Sequence, residues 1–487
     1  MKLIIFMLAL LTCLSCRTQI FEFDNSDLDA VYRQLYLNTE ASLQEYVYPV
    51  EREGRTATVT DQFMIFLEGT ETADAEQLRQ DAAAAFPGQF SGYQSCGCDG
   101  SFRVEVWQID GIDGNERGKS GKNRVASQIG REEGSVTTNA YLFPHRPGGT
   151  FYQQAFNALP PNFQVQSSGL SGPAQTIAIL DSGMDPRLQS HSVPGQSQLY
   201  LWENPDEDLD GADQGDDPFC YVDDLIGWDF INNDNNPMDD HSHGTHVAGI
   251  VANTLSTYAP SVNYQFMPLK VLDHKGVGTT FEAICALLYA AENGADVINL
   301  SWGFVGDENQ LLTRAMEYAI DRGATIVTSA GNDRVDLSYI DHWPSAYALP
   351  GDNNLDGVLF AAAHTNPDQL WNSTNFRTDA PGEGGLIAPP GENITSLIPL
   401  QLVGLVSPVK SGTSMAAPVL SALATDYKRL YPDHSPASVR HNINYLVREG
   451  IDPGQIIVYG QNFDFQGLTW LDLAALYNQH SGSMWTD

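Results

Sequence analysis

The sequence predicts an α/β protein built on a parallel sheet with helices on both faces, preceded by a small α+β module. Three observations carry this. From about residue 170, apolar or β-branched runs alternate with longer segments of helical spacing. The first run, Thr176–Leu180, is apolar or β-branched throughout, as in strands covered on both sides. The chain before that point has its own strand–helix–strand pattern, set off by a Gly-rich stretch.

In the leading module, Gln62–Leu67 (QFMIFL) reads as a strand and Ala73–Ala85 as an alanine-rich helix. Phe102–Ile109 (FRVEVWQI) alternates like a second strand. Asp110–Arg124 mixes Gly and Ser with Arg117, Lys119, Lys122 and Arg124, and reads as a linker. In the larger part, Thr176–Leu180, Phe266–Val271, Asp296–Leu300, Thr325–Ser329 and Gly357–Ala363 read as strands. His243–Thr257, Thr280–Asn293, Glu308–Arg322 and Ser414–Tyr431 read as helices between or after them. The tail offers two more helices, Pro436–Glu449 and Leu468–Tyr477. No internal repeat is visible.

At 487 residues the chain has room for two or three domains. It carries 61 acidic against 25 basic side chains, a formal charge of −36. Such a polyanion repels phosphate, which argues against nucleic-acid partners. The opening MKLIIFMLALLTCLSC has Lys2, an apolar run from Leu3 to Leu14 and then small residues. This is the pattern of a secretory signal peptide over residues 1–16, too short to span a bilayer. Cys16 after Leu14-Ser15 resembles a bacterial lipoprotein attachment site, with Cys13 where an aliphatic residue is usual. Lipid on Cys16, holding the protein to an envelope membrane, and ordinary cleavage with release are both compatible with it. Cys96, Cys98, Cys220 and Cys285 remain, allowing three pairings. Cys96 and Cys98 are too close in sequence for an easy mutual bond.

The chemistry centres on Ser414 in SGTSMAAP (Ser411–Pro418), where small neighbours and a helix start suit a nucleophile beside an oxyanion site. A serine needs a base and an orienting carboxylate. Asp181 ends the strand of TIAILDSGMD, and His243 opens the helix of HSHGTHVAGIVA. Alone, each has a plainer reading: a turn aspartate, a packed histidine. His246, three residues on, reads as structural. Two other chemistries compete. His241, His243 and His246 form H-x-H-x-x-H with Asp239 and Asp240 ahead of it, which suggests zinc but lacks the HExxH pattern. Gly412–Ala416 approximates a G-x-S-x-G elbow, but that fold places its acid and histidine after the serine.

The order Asp181, His243, Ser414 and the blocks DSG (Asp181–Gly183), HGTHVAG (His243–Gly249), TSAGN (Thr328–Asn332) and GTSMAAP (Gly412–Pro418) resemble the subtilisin-like serine proteases, the subtilases. The resemblance covers roughly residues 175–425. It implies a subtilisin-like three-layer sheet and a serine endopeptidase with Asn332 in its oxyanion hole. It further implies peptide substrates lying as an added strand between Gly276–Gly278 on one side and Ser301-Trp302-Gly303 on the other, with Ala330 and Gly331 alongside. Trp302 would supply an aromatic wall or else belong to the core. Trp343-Pro344-Ser345 resembles the family's proline turn, whereas Ile387–Gly391 carries one extra proline. Residues 17–145 then resemble a propeptide, the protein's own folding aid and inhibitor, removed somewhere between Gly111 and Pro147; a permanent accessory domain is the alternative. Residues 146–487 form the peptidase.

The stretch 203–240 is an acidic insertion with fourteen carboxylates and no Lys or Arg. Asp206, Asp208, Asp210 and Asp217 have the spacing of a calcium loop without its flanking helices. The resemblance also implies structural calcium; a solvated acidic loop is the alternative. A different class of function, a peptide-binding protein on a disabled protease scaffold, would be marked by loss of a triad member, and none is lost.

Overall fold

The computed structural model describes residues 50–144, 159–449 and 468–470, with isolated positions between 32 and 44. Internal gaps remain, the longest at 112–120, 210–220 and 378–385. The signal-like segment with Cys16, and Cys98 and Cys220, lie outside the described residues.

The N-terminal module consists of β1 (Val50–Glu53), β2 (Thr56–Phe66), α1 (Thr72–Ala85), β3 (Phe90–Ser95), β4 (Val104–Ile109), α2 (Gly121–Gln128) and β5 (Val136–Leu142). Its strands pair antiparallel in the order β3-β4-β2-β5, with β1 against β2. Alternation on β2 assigns its two faces. Phe63 and Ile65 pack with Phe86, Trp107, Val125 and Ala126 under α1 and α2. Met64 and Phe66 point the other way, into a core that belongs to the larger domain. The expected linker therefore stops short. Its last four residues open α2, whose only apolar side chains are Val125 and Ala126, too few to register as a helical stripe. Strand β5 was not anticipated from the sequence.

The larger domain holds β6 (Gln175–Asp181), β7 (Trp228–Asp229), α3 (His243–Tyr258), β8 (Tyr264–Lys270), β9 (Gly278–Thr279), α4 (Thr280–Glu292) and β10 (Val297–Leu300). There follow β11 (Phe304–Val305), α5 (Gln310–Asp321), β12 (Thr325–Ser329), β13 (His342–Trp343), β14 (Val358–Ala361) and β15 (Leu386–Ala388). The last described elements are α6 (Thr413–Leu430), α7 (Pro436–Glu449) and β16 (Leu468–Trp470). Eight strands form one parallel sheet in the order β16-β15-β14-β12-β10-β6-β8-β7. Ile177 and Ile179 of β6 pack with Val247 and Val251 of α3 and Ala417 and Leu420 of α6. Ala178 and Leu180 pack on the opposite side with Ile284 and Leu287 of α4 and Leu311 and Leu312 of α5. Both faces are covered, giving three layers, as the apolar strands require.

The strand and helix expectations for this domain hold to within a few residues at their ends, save the last. Leu468–Trp470, read as the start of a helix, is a strand that extends the sheet beside β15; the rest of that segment lies outside the described residues. Pairing at a sheet edge overrides local helical spacing here. The cysteine pairing that the sequence left open is Cys96 with Cys285, a bond from the end of β3 into α4.

Candidate active site

Asp181 terminates β6 at the carboxyl edge of the sheet, and His243 is the first residue of α3. Two glycines let these elements touch. A Cβ on Gly244 would collide with the Gly183 carbonyl, and one on Gly183 with the Pro237 carbonyl. Ser182 joins the two segments: its hydroxyl donates to Asp239 Oδ1 at 2.8 Å and accepts from Gly244 N at 2.9 Å. Asp239 also accepts from the backbone N–H groups of His241, Ser242 and Thr245, so it caps the helix that carries the imidazole. His243 Nδ1 then lies 2.8 and 2.9 Å from the two Asp181 oxygens, with both residues buried. A carboxylate in this position holds the imidazole with its proton on Nδ1 and leaves Nε2 able to accept one.

Behind the pair lies a buried charged lattice. Lys270 Nζ donates to Asp240 Oδ1 at 2.7 Å and to the carbonyls of Ser182 and Leu272. Burial alone would lower its pKa, but Asp240, Asp229 and Asp239 outweigh burial and hold it above the usual lysine value. Burial pushes the Asp239 carboxyl up despite its many donors. Lys410, which donates to Ser242 Oγ at 3.0 Å, is pushed down by burial.

Ser414 sits in the first turn of α6. Pro418, four residues later, has no N–H to reach the Ser414 carbonyl. The Ser301 hydroxyl donates there instead, at 3.1 Å. This ties the Ser414 backbone to the segment that follows β10. Asn332 is held by its own oxygen, which accepts from Thr413 N and Thr413 Oγ1, both at 2.9 Å. Its amide nitrogen is thereby turned toward the cleft and donates to the Pro144 carbonyl at 3.3 Å. The Ser414 hydroxyl lies 3.0 Å from that same Pro144 oxygen and 3.0 Å from the Ser301 carbonyl.

The occupant of the cleft is thus the end of the N-terminal module. Tyr141 and Leu142 of β5 pair antiparallel with Thr279 and Gly278 of β9. Phe143 exchanges two backbone hydrogen bonds with Gly303, at 3.3 and 3.0 Å. Gly276 adjoins this edge with φ of 74°, its Cα facing the His241 ring. Ala330 is buried and its carbonyl accepts from Asn375 Nδ2 at 2.9 Å; the Gly331 carbonyl accepts from Asn375 N. Trp302 is the exception. Its ring is fully buried and its indole N–H donates to the Leu180 carbonyl at 2.9 Å, so it is a core residue rather than an aromatic wall.

One residue of the cleft was missed in the sequence. His342 lies between the two glycine edges: a Cβ on either Gly303 or Gly331 would run into its ring. Its Nδ1 is 2.8 Å from Ser345 Oγ, whose hydroxyl donates to the His342 carbonyl, so the proton sits on Nδ1. Burial lowers its pKa to about 4, against the opposing charge of Asp333. Its only sequence signal is proximity to the Trp343-Pro344-Ser345 turn.

Asp206 is exposed, with its backbone N–H on Asn204 Oδ1 at 3.2 Å; Asp208, Asp210 and Asp217 lie outside the described residues. Asp224, also acidic and nearby in sequence, is turned inward onto Asn204 Nδ2 and the Tyr289 hydroxyl. Among the described residues no three His, Cys, Asp or Glu side chains converge as a metal site. That includes His241, His243 and His246, whose side chains do not converge. His246 Nε2 faces the carbonyls of Ile394 and Pro408 at 3.1 and 3.0 Å, and burial lowers its pKa to about 3. Nor, among the described residues, is any helix long and apolar enough to cross a membrane.

The family model described as "Subtilase family" matches residues 172–449, more than half of the chain. A thermophilic serine proteinase of Bacillus sp. (strain AK1) is 31% identical over 295 residues, covering 58% of this chain and 60% of that protein. Thermitase of Thermoactinomyces vulgaris is 34% identical over 203 residues, 41% of this chain and 65% of its own length. An extracellular serine proteinase of Thermus sp. (strain Rt41A) is 30% identical over 227 residues, 46% and 50% of the two chains. The chain thus spans between half and two thirds of these curated relatives. The crystal structure of a cold adapted subtilisin-like serine proteinase aligns with 65% of this chain and 94% of its own, at 22% identity and a TM-score of 0.43.

Proposed function

Because the chain belongs to the subtilase family, we propose that it is an exported serine endopeptidase that hydrolyses peptide bonds through an acyl-enzyme on Ser414. His243 takes the serine proton as the hydroxyl attacks, and Asp181 fixes the imidazole and stabilises its protonated form. The tetrahedral oxygen is held by the Asn332 amide and the Ser414 backbone N–H. His243 then returns the proton to the leaving amine, and water repeats the sequence to release the acid. The observation that carries this reading is the Pro144 carbonyl, whose oxygen is 3.0 Å from Ser414 Oγ and 3.3 Å from Asn332 Nδ2. A peptide of the chain itself stands where an acyl donor would.

On the same reading the N-terminal module is a propeptide, and Pro144–His145 is the bond that the enzyme cuts in itself. Ser301, Gly303, Gly276, Gly278, Ala330 and Gly331 frame the groove that later receives peptide substrates. Structural calcium would fit the carboxylates of Asp206, Asp208, Asp210 and Asp217, whose mutual repulsion a hard cation relieves. Export fits the apolar leader, with lipid on Cys16 as the means of staying on the envelope.

The test is fluorophosphonate labelling of wild type and Ser414→Ala, with N-terminal sequencing of the products. The wild type is expected to label and to yield a chain beginning at His145; Ser414→Ala should do neither. Labelling that persists without Ser414 would sink the assignment. Calcium is checked separately, by whether a chelator lowers the melting temperature of wild type more than that of an Asp208→Asn/Asp210→Asn variant.

A further inference from the structure

The Cys96–Cys285 bond joins the two parts of the molecule. Cys96 follows β3 of the module, and Cys285 lies in α4 of the peptidase, 189 residues away in sequence. Position 144 falls inside that interval. A cut within a loop closed by a disulfide opens the loop without separating its ends. We propose that this bond makes the module a covalently retained inhibitor: after Pro144–His145 is hydrolysed the two pieces stay joined, and the module leaves the cleft only when a dithiol reductant breaks the bond. The proposal rests on the self-cleavage reading above.

The surroundings fit a retained partner. The face of the module that carries Met64, Phe66, Val104 and Val106 shares one core with Phe281, Ile284 and Leu288 of α4. Asn139 Oδ1 accepts from the Thr280 hydroxyl and from Phe281 N, both at 3.0 Å, and Ala140 N donates to the Thr280 hydroxyl at 3.0 Å. An inhibitor held by such contacts alone dissociates on dilution. A tethered one is presented at an effective concentration on the order of millimolar, however dilute the enzyme. Dilution then cannot activate the cleaved enzyme.

The release step balances simply. A thiolate of the reductant attacks one sulfur of the pair and expels the other as a thiolate; its second thiol closes on the mixed disulfide. Two electrons pass to the protein, Cys96 and Cys285 end as thiols, and the reductant ends as a cyclic disulfide. Both cysteines are almost completely buried while the module is docked. Attack therefore waits on opening of the module, which a cut at Pro144 makes easier by freeing the end of β5. Cleavage and reduction become ordered events.

The experiment uses the full chain exported under oxidising conditions, as wild type, Ser414→Ala and Cys96→Ala/Cys285→Ala. On denaturing gels the processed wild type should run as one species and split in two with dithiothreitol; the double variant should split without it. Serine labelling should rise on dilution for the double variant and, for wild type, only with reductant. Wild-type pieces that separate without reductant would overturn the tether while leaving the protease reading intact. So would peptide mapping of Ser414→Ala that finds Cys96 and Cys285 unlinked. If no self-cleavage occurs, the protease reading fails. Retention is then decided on Ser414→Ala carrying a foreign protease site within residues 145–150, where separation after that cut without reductant again overturns the tether.

Discussion

The two sheets of this molecule differ in what covers them. The eight-stranded parallel sheet is closed on one side by α3 and α6 and on the other by α4 and α5, all from its own domain. The antiparallel sheet of the module is closed on one side by α1 and α2 but on the other by α4 and α5 of its neighbour. The first has what it needs within its own domain; the second borrows half its cover. The borrowed contact also aims β5 at the cleft, so the burial that completes the module is the burial that blocks the site.

The harshest test of that contrast is a charge in the shared core. Met64 is fully buried against α4, with the Thr280 hydroxyl 3.8 Å from its sulfur. Met64→Asp buries a short carboxylate in that apolar contact, at a cost of about 4 kcal/mol or more. Hydrogen exchange should show β2 and β4 losing protection while β6 and β10 keep theirs. Equal loss in all four strands would refute the independence of the larger sheet.

Asn332→Ala is the complementary change. It removes one 3.3 Å contact from the docked strand but, on the proposed mechanism, an oxyanion donor from the chemistry. Turnover of a peptide substrate should fall by about 10²–10³, roughly 3–4 kcal/mol, with KM little changed. A change in KM alone would place Asn332 in binding instead.

Legibility divides along the same line. Asp181, His243, Ser414 and Asn332 stood out because each lies in a block of small residues at an element boundary, and such boundaries leave sequence marks. The parallel strands stood out because burial on both faces leaves continuous apolar runs. Strand β5 did not, since VTTNAYL mixes Thr and Asn whose partners, Thr280 and Asn309, lie far along the chain. Asp239 was seen only as a possible zinc neighbour, because a helix cap made by a residue before an αL turn has no fixed spacing. His342 and the Cys96–Cys285 pairing depend on approaches between distant segments, which no local pattern records.

Within the larger domain, pH acts through buried groups of opposite sign. Burial raises the Asp229 carboxyl of β7 to about 6, above its unfolded value. The folded state then holds its proton where the unfolded state has lost it, so this group's contribution falls as pH rises from about 4 to 6, by about 3 kcal/mol at most. His342 and His246 act in the opposite sense: their lowered values make the unfolded state bind more protons, so stability rises with pH across that window. Asp229→Asn removes the opposing slope while Ile231 N and Asn232 N keep an acceptor. Melting temperature against pH should therefore climb more steeply in the variant than in wild type. A parallel pair of curves would mean that Asp229 titrates normally.

The smallest expected effect concerns His342, and it bears on how the larger domain reads the strand that the module supplies. The residue whose carbonyl meets Asn332 is Pro144, next to Phe143 on Gly303. The ring of His342 fills the space between Gly303 and Gly331, the two segments that flank this end of the docked strand. A compact proline suits a filled space; an extended aromatic side chain does not. His342→Ala empties it without touching Ser414, His243 or Asp181, and should raise kcat/KM for substrates with Phe before the cut by about tenfold relative to those with Pro or Ala. His342→Gln, which keeps the volume and a polar tip, should leave the ranking nearly as it is. If the alanine variant lowers all substrates alike, His342 holds the two cleft edges apart and does not select between side chains.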